Sequence, residues 1–105
     1  MTAAPLQGEV WWAEAEDKRR PVLIVTRDAA VPVLHRVVVA PVTRTVRGIP
    51  TEIALGDEEG LPVACAASFD NLQPVNRRLL TERVGGLAPG RRNQVCRALD
   101  ALADC

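Results

Sequence analysis

The sequence predicts a mainly β, α+β domain: a strongly bent sheet that forms a small β-barrel or half-barrel, closed by one C-terminal helix. Two runs dense in valine and isoleucine, PVLIVT at 21–26 and RVVVAPV at 36–42, are of the kind buried on both faces of a sheet. A third apolar pattern, Val95, Leu99 and Leu102 at a spacing of four and then three, has the helical period and begins only after Gly85-Gly86. One amphipathic helix laid on one face of a curled sheet buries both apolar surfaces. With 105 residues, 48% of them hydrophobic, the span 1–105 suits a single domain with its own core and is too short for two.

The elements follow in order along the chain. EVWWAE at 9–14 is short, aromatic and β-branched, and the two valine-rich runs complete three strands within the first half. PTEIAL at 50–55 alternates polar and apolar residues, PVACAA at 62–67 is a weaker strand, and NLQPV at 71–75 is a last short one. Pro41 and Pro74 cannot donate to a ladder, so each belongs at an edge or a bulge. Turns fall at Asp28 to Pro32, at Arg47-Gly48 and at Gly56 to Gly60, where the acidic GDEEG is expected to be a solvated turn rather than a catalytic carboxylate pair. The helix is expected from Pro89, suited to a first turn, to Ala103, with Asp100 and Asp104 opposing its dipole at a cost of roughly a few tenths of a kcal/mol. No repeat or low-complexity linker interrupts the chain.

Composition removes several classes of function. No run approaches the roughly 18 apolar residues of a membrane span, and the start, MTAAPLQGEV, has neither the basic nor the apolar region of a signal peptide, so a cytoplasmic protein without membrane contact is expected. Cys65, Cys96 and Cys105 form no CxxC pair and are odd in number, which points to reduced thiols, Cys65 as a buried structural one. His35 stands alone, so no metal and no cofactor is expected, and phosphate-binding glycine loops and nucleophile elbows are missing. The formal net charge is zero, yet residues 1–50 carry +2 and residues 51–105 carry −2. Arg19, Arg20, Arg27, Arg36, Arg44 and Arg47 all flank apolar runs in the first half, either as solvated strand ends or as cations gathered toward an anionic partner.

Taken in order, GEVWWAE, RRPVLIVTRD, VVVAPVTRTVRGIPTEIAL and SFDNLQPV resemble the MazF/PemK (Kid-like) toxin family, sequence-specific endoribonucleases of toxin-antitoxin modules, from about Gly8 into the C-terminal helix. The resemblance implies a CcdB/MazF-like fold, an SH3-like half-barrel with a C-terminal helix, in agreement with the pattern above. It also implies that Arg20, before a proline at a strand start, and Thr43, after the valine-rich strand, are catalytic. A guanidinium held by a packed strand suits the charge developing on a scissile phosphate, and a threonine hydroxyl adds a hydrogen bond to it. The family reaction is attack by a ribose 2′-OH on the adjacent phosphate without metal, giving a 2′,3′-cyclic phosphate and a 5′-OH. Relatives carry an Arg-x-Asp where this chain has Ser68-Phe69-Asp70; Asp70 keeps the acid and Ser68 replaces the arginine. The general base is open, with Glu16 and Asp17 in the segment before Arg20 as candidates.

Each of these positions also has a plainer role. Arg20 pairs equally well with Glu14, Glu16 or Asp17, and Asp70 suits an Asx turn into Asn71. For holding single-stranded RNA or RNA loops, the chain offers Arg19, Arg27, Arg44, Arg47 and Ser68 and few rings: no Tyr, Trp11, Trp12 and Phe69. The adjacent tryptophans point to opposite faces, one to the core and one outward; Phe69 is the better stacking candidate, with a core role as its alternative. Messenger, transfer and ribosomal RNA all qualify as targets. The family further implies a homodimer and a cognate antitoxin whose acidic segment blocks the RNA groove. Two other functions fit the same fold: a CcdB-type gyrase poison, which relies on a tryptophan near its C-terminus where this chain reads DALADC, and a noncatalytic SH3-like binding module, usually richer in aromatics.

Overall fold

The computed structural model describes residues 4–15 and 18–104. Seven strands form the sheet: β1 (Glu9–Ala15), β2 (Lys18–Ile24), β3 (Arg36–Thr43), β4 (Glu52–Leu55), β5 (Cys65–Ser68), β6 (Gln73–Asn76) and β7 (Leu80–Gly86), followed by one helix, α1 (Asn93–Leu102). The strands lie in the order β4-β5-β3-β2-β1-β7, with β6 also paired to β3.

Strand β3 bends the sheet. Its first half, Arg36 to Val39, pairs with β6, whereas Val42 and Thr43 pair with β5, so the partner on that edge changes at Ala40 and Pro41. Pro41 has no N–H to offer, and it falls in the gap between the two partners, opposite Val22 of β2. Pro74 sits on β6, which among the described residues pairs with β3 alone, as a residue without a donor requires.

Each face of the curled sheet carries its own core. Leu23 and Val25 join Val10, Ala40, Phe69 and the helix residues Val95 and Ala98 on one side; Val22 and Ile24 join Trp11, Val37, Val39 and Leu80 on the other. Two-faced burial therefore holds along β2. In β3 it fails at Val38, which is 37% exposed, because α1 packs on β4 and on the turn at Phe69–Asn71 and leaves this half of the strand uncovered.

Three expectations are corrected. Residues 80–86 form a full strand, β7, paired to β1 through two irregularities, between Val10 and Trp11 and between Trp12 and Ala13. Its sequence, LTERVGG, hides this: a glutamate and two glycines are poor strand formers, but a Cβ at Gly85 would stand 2.1 Å from the Glu59 carbonyl oxygen, so the packing demands glycine. The helix starts at Asn93 and not at Pro89, which opens a separate 3₁₀ turn, Pro89–Arg91; its stripe ends early, with Leu102 exposed. Finally, GDEEG is only half solvated. Asp57 and Glu58 are exposed, but Glu59 is buried, its Oε1 accepting from Gly56 N at 2.6 Å and its Oε2 from Arg91 Nη1 at 2.9 Å.

Candidate active site

Strand pleating separates the two arginines, Arg19 and Arg20, that follow Lys18 in β2. Arg19 turns toward Trp12, lying 4.7 Å from its ring centroid, and bridges Glu14 at 3.3 Å and Glu82 at 2.6 Å. Arg20 turns the other way, its register partner being Ala13. Glu14, one of three carboxylates considered for Arg20, is thus taken by Arg19; Glu16 and Asp17 lie outside the described residues. Among the described residues Arg20 has no ion-pair partner, and its guanidinium is exposed.

Thr43 ends β3 on the same face as Arg20. Val22 pairs with Pro41 in antiparallel register, and Arg20 stands two positions before Val22 while Thr43 stands two after Pro41, so their side chains share a face. Thr43 Oγ1 accepts a hydrogen bond from Thr45 N at 3.1 Å, which leaves its hydroxyl hydrogen free to donate outward.

A third element closes the site. The tight turn Phe69–Asn71 carries Asp70 to the cleft rim, where Thr51 Oγ1 donates to Asp70 Oδ2 at 2.6 Å. That bond stands in place of the Asx turn into Asn71. Asn71 instead donates through Nδ2 to Ser68 Oγ at 2.9 Å, pinning a serine that is itself buried. Arg20, Thr43, Ser68 and Asp70, spread over fifty positions of sequence, line one open cleft of about 600 Å³ together with Asn71 and Gln73. The chemistry on offer is a free guanidinium, a hydroxyl donor and a carboxylate with one oxygen unengaged: charge stabilisation, a positioned hydrogen bond and a proton exchanger.

Other expected residues fall elsewhere. Phe69 is 0% exposed in the core beneath the turn, so its ring has no face for a base to stack on, and the expected stacking role gives way to its alternative. Arg27 lies beyond the far end of β2, roughly 20 Å of strand from Arg20, and does not reach the cleft. Arg44 and Arg47 occupy the exposed loop after β3. Arg44 lines a second hollow, about 290 Å³, with Trp12, Arg19 and Cys65, so of the two tryptophans Trp11 is the core residue and Trp12 the partly open one. Burial pushes the Cys65 thiol up, reinforced by the Glu59 charge and opposed by Arg44; with Sγ 3.8 Å from the Leu55 carbonyl, it is an inert core thiol. Sequence reasoning overlooked Asn71 and Gln73 as cleft residues; the polar NLQ beside Asp70 was the signal available. Among the described residues no three metal-ligating side chains cluster, and no helix is long and apolar enough to cross a membrane.

Comparison with known proteins adds independent findings. Residues 6–103 match the family model described as PemK-like, MazF-like toxin of type II toxin-antitoxin system. The chain is 44% identical to the probable endoribonuclease MazF5 of Mycobacterium tuberculosis over 107 residues, covering 100% of this chain and 98% of that one. It is 39% identical over 88 residues to the endoribonuclease MazF3 of the same organism, with 84% and 85% covered. Among solved structures, the M. tuberculosis toxin MazF-mt6 superposes with a TM-score of 0.83 at 35% identity over 91% of this chain and 96% of that one. A mycobacterial endoribonuclease in complex with its cognate antitoxin gives 0.80 at 29% identity, with 95% of each chain covered.

Proposed function

The chain belongs to the PemK-like, MazF-like toxin family of type II toxin-antitoxin systems, and from that premise we propose that it is a sequence-specific endoribonuclease that cuts RNA without a metal. The observation that carries the proposal is the convergence of Arg20, Thr43 and Asp70 on one cleft. A ribose 2′-OH attacks the adjacent phosphorus; the O2′–P bond forms, the P–O5′ bond breaks, and the products are a 2′,3′-cyclic phosphate and a 5′-OH. The nucleophile is part of the substrate, so the protein has to supply only position, charge and proton exchange. Arg20 meets the charge growing on the phosphoryl oxygens, and its lack of a carboxylate partner among the described residues keeps it available for that anion. Thr43 donates its free hydroxyl hydrogen to the same phosphate. Asp70, the one carboxylate lining the cleft among the described residues, exchanges the protons, its Oδ2 steadied by Thr51.

Residues 1–105 act in this proposal as one toxin domain in the cytoplasm, as a homodimer. Its RNA is single-stranded or looped, held by exposed Arg47 in the loop after Thr43 and, on the side that bears Trp12 and Arg19, by Arg44. A cognate antitoxin silences the cleft in this proposal by presenting carboxylates where RNA presents phosphates; the mycobacterial endoribonuclease is likewise found in complex with its cognate antitoxin. The test is incubation of the purified protein with a long RNA, and separately with DNA and gyrase. Cuts at one short motif, each leaving a 5′-OH, are expected; intact RNA with gyrase-dependent DNA breaks would replace the nuclease with a gyrase poison.

A further inference from the structure

The loop between β3 and β4 holds Arg44 and Arg47, yet every residue from 44 to 50 is exposed, so no buried side chain of its own anchors it. Its shape rests on a few hydrogen bonds. Arg47 N and Gly48 N both donate to Glu52 Oε1, at 2.9 and 3.0 Å, and Glu52 N donates to Ile49 O at 3.0 Å. Gly48 takes φ +67°, the left-handed turn that brings the two N–H groups onto a single oxygen. One side chain at the start of β4 thus gathers the loop.

The same carboxylate has an unusual second oxygen. Glu52 Oε2 is buried and has no hydrogen-bond partner among the described residues, an arrangement native folds seldom tolerate. Glu52 pairs in register with Ser68, while Ala54 pairs with Ala66 and Ala66 with Thr43, so Glu52, Ser68 and Thr43 share the face of the sheet that bears the cleft. Oε1 is occupied by the loop and Oε2 is shielded from solvent, so Glu52 does not meet a ligand itself. We propose that Glu52 is a positioning residue for RNA binding, a carboxylate clamp that holds residues 44–50 so that Arg47 meets the RNA backbone beside the cleft; this rests on the endoribonuclease function proposed above. Freed of the clamp, the loop samples many shapes, and the entropy of ordering it falls on RNA binding and not on the chemical step.

The test measures kcat and KM on a short RNA with one cut site, together with amide hydrogen exchange at Arg47 and Gly48. Glu52→Ala is expected to raise KM about tenfold, as loss of two modest hydrogen bonds implies, with kcat little changed and both amides exchanging faster. Glu52→Gln keeps a carbonyl oxygen for the two N–H groups and is expected to restore KM and protection. Should Glu52→Ala not fold, Glu52→Asp, whose carboxylate is retracted by one methylene, is expected to show the same rise in KM. A wild-type KM in a folded Glu52→Ala or Glu52→Asp chain, or a fall in kcat at constant KM, overturns the clamp alone. A wild-type chain that cuts no RNA overturns the nuclease and the clamp together.

Discussion

Replacing Arg91 with alanine removes the partner of the buried carboxylate, Glu59. The Glu59 side chain is 4% exposed and that of Arg91 27%, and Nη1 meets Oε2 at 2.9 Å. The same guanidinium donates through Nη2 to Ala54 O at 2.7 Å and to Gln94 Oε1 at 3.1 Å, so it ties the turn after β4 to the strand and to α1. In Arg91→Ala, Glu59 keeps only the Gly56 N–H and Oε2 is left without a cation. Breaking a buried pair from one side costs about 3–5 kcal/mol; partial exposure of Arg91 admits water to the vacated space, so about 3 kcal/mol is expected. That is a large share of the roughly 5–15 kcal/mol of a typical domain, and at about 4–8 °C per kcal/mol for a chain near this size it lowers Tm by roughly 12–24 °C. Thermal and urea melts followed by circular dichroism measure it. The double variant Glu59→Gln/Arg91→Ala, with no buried charge, is expected to be more stable than Arg91→Ala alone, a coupling of about 1–3 kcal/mol. A loss under about 0.5 kcal/mol in Arg91→Ala, the range of ordinary surface changes, would refute the buried-pair account.

Arg20→Ala, at an exposed position without an ion pair among the described residues, is expected to melt like the wild type while losing about 10²- to 10³-fold in RNA cleavage, the usual cost of one transition-state donor; parallel melting and single-turnover assays read both. Gly85→Ala places a methyl group against the Glu59 carbonyl oxygen, 2.1 Å away before relaxation, and should destabilise by at least the roughly 1–3 kcal/mol of overpacking, visible as a lower urea midpoint. Asp28 is held below the ordinary carboxylate range by the Gln7 N–H first, opposed by burial and assisted by the hydrogen bond and charge of Arg92. Its contribution is therefore complete above its unfolded pKa near 3.8 and lost as pH falls through the lower folded value. Asp28→Asn should flatten the acid limb of the stability curve below about pH 4 without changing the neutral-pH slope.

Much of the architecture was legible because β2 and β3 are built from residues whose burial is written into local composition. Val22 to Val25 and Val37 to Ala40 are apolar and largely β-branched, and strands of that kind have few other stable fates. β7 was illegible for the opposite reason: its pairing depends on β1 as a template and on Gly85 yielding space to Glu59, both long-range facts. Glu59 itself looked like a turn residue because its cation lies 32 positions away on the approach to α1. Within the site, Arg20 and Thr43 were legible through the family resemblance, and the cleft brings them together with Asp70. Phe69 was misjudged because an aromatic in a tight turn is inward or outward according to what covers it, here the core that includes Val95 and Ala98 of α1. Glu52 gave no local sign, since its partners are backbone N–H groups that only the folded loop presents.

The central claim is that the cleft of Arg20, Thr43 and Asp70 catalyses attack by the substrate's own 2′-OH with protein side chains alone. It is tested most directly by cleavage in excess EDTA of two matched RNAs, one unmodified and one carrying a 2′-deoxy sugar immediately upstream of the cut, with the ends of the fragments identified. The unmodified RNA is expected to be cut as fast in EDTA as in magnesium, leaving a 2′,3′-cyclic phosphate upstream and a 5′-OH downstream, while the 2′-deoxy RNA binds and stays whole. Cleavage that stops in EDTA and returns with magnesium, or efficient cutting of the 2′-deoxy RNA, would contradict the account and assign the nucleophile to a metal-bound water.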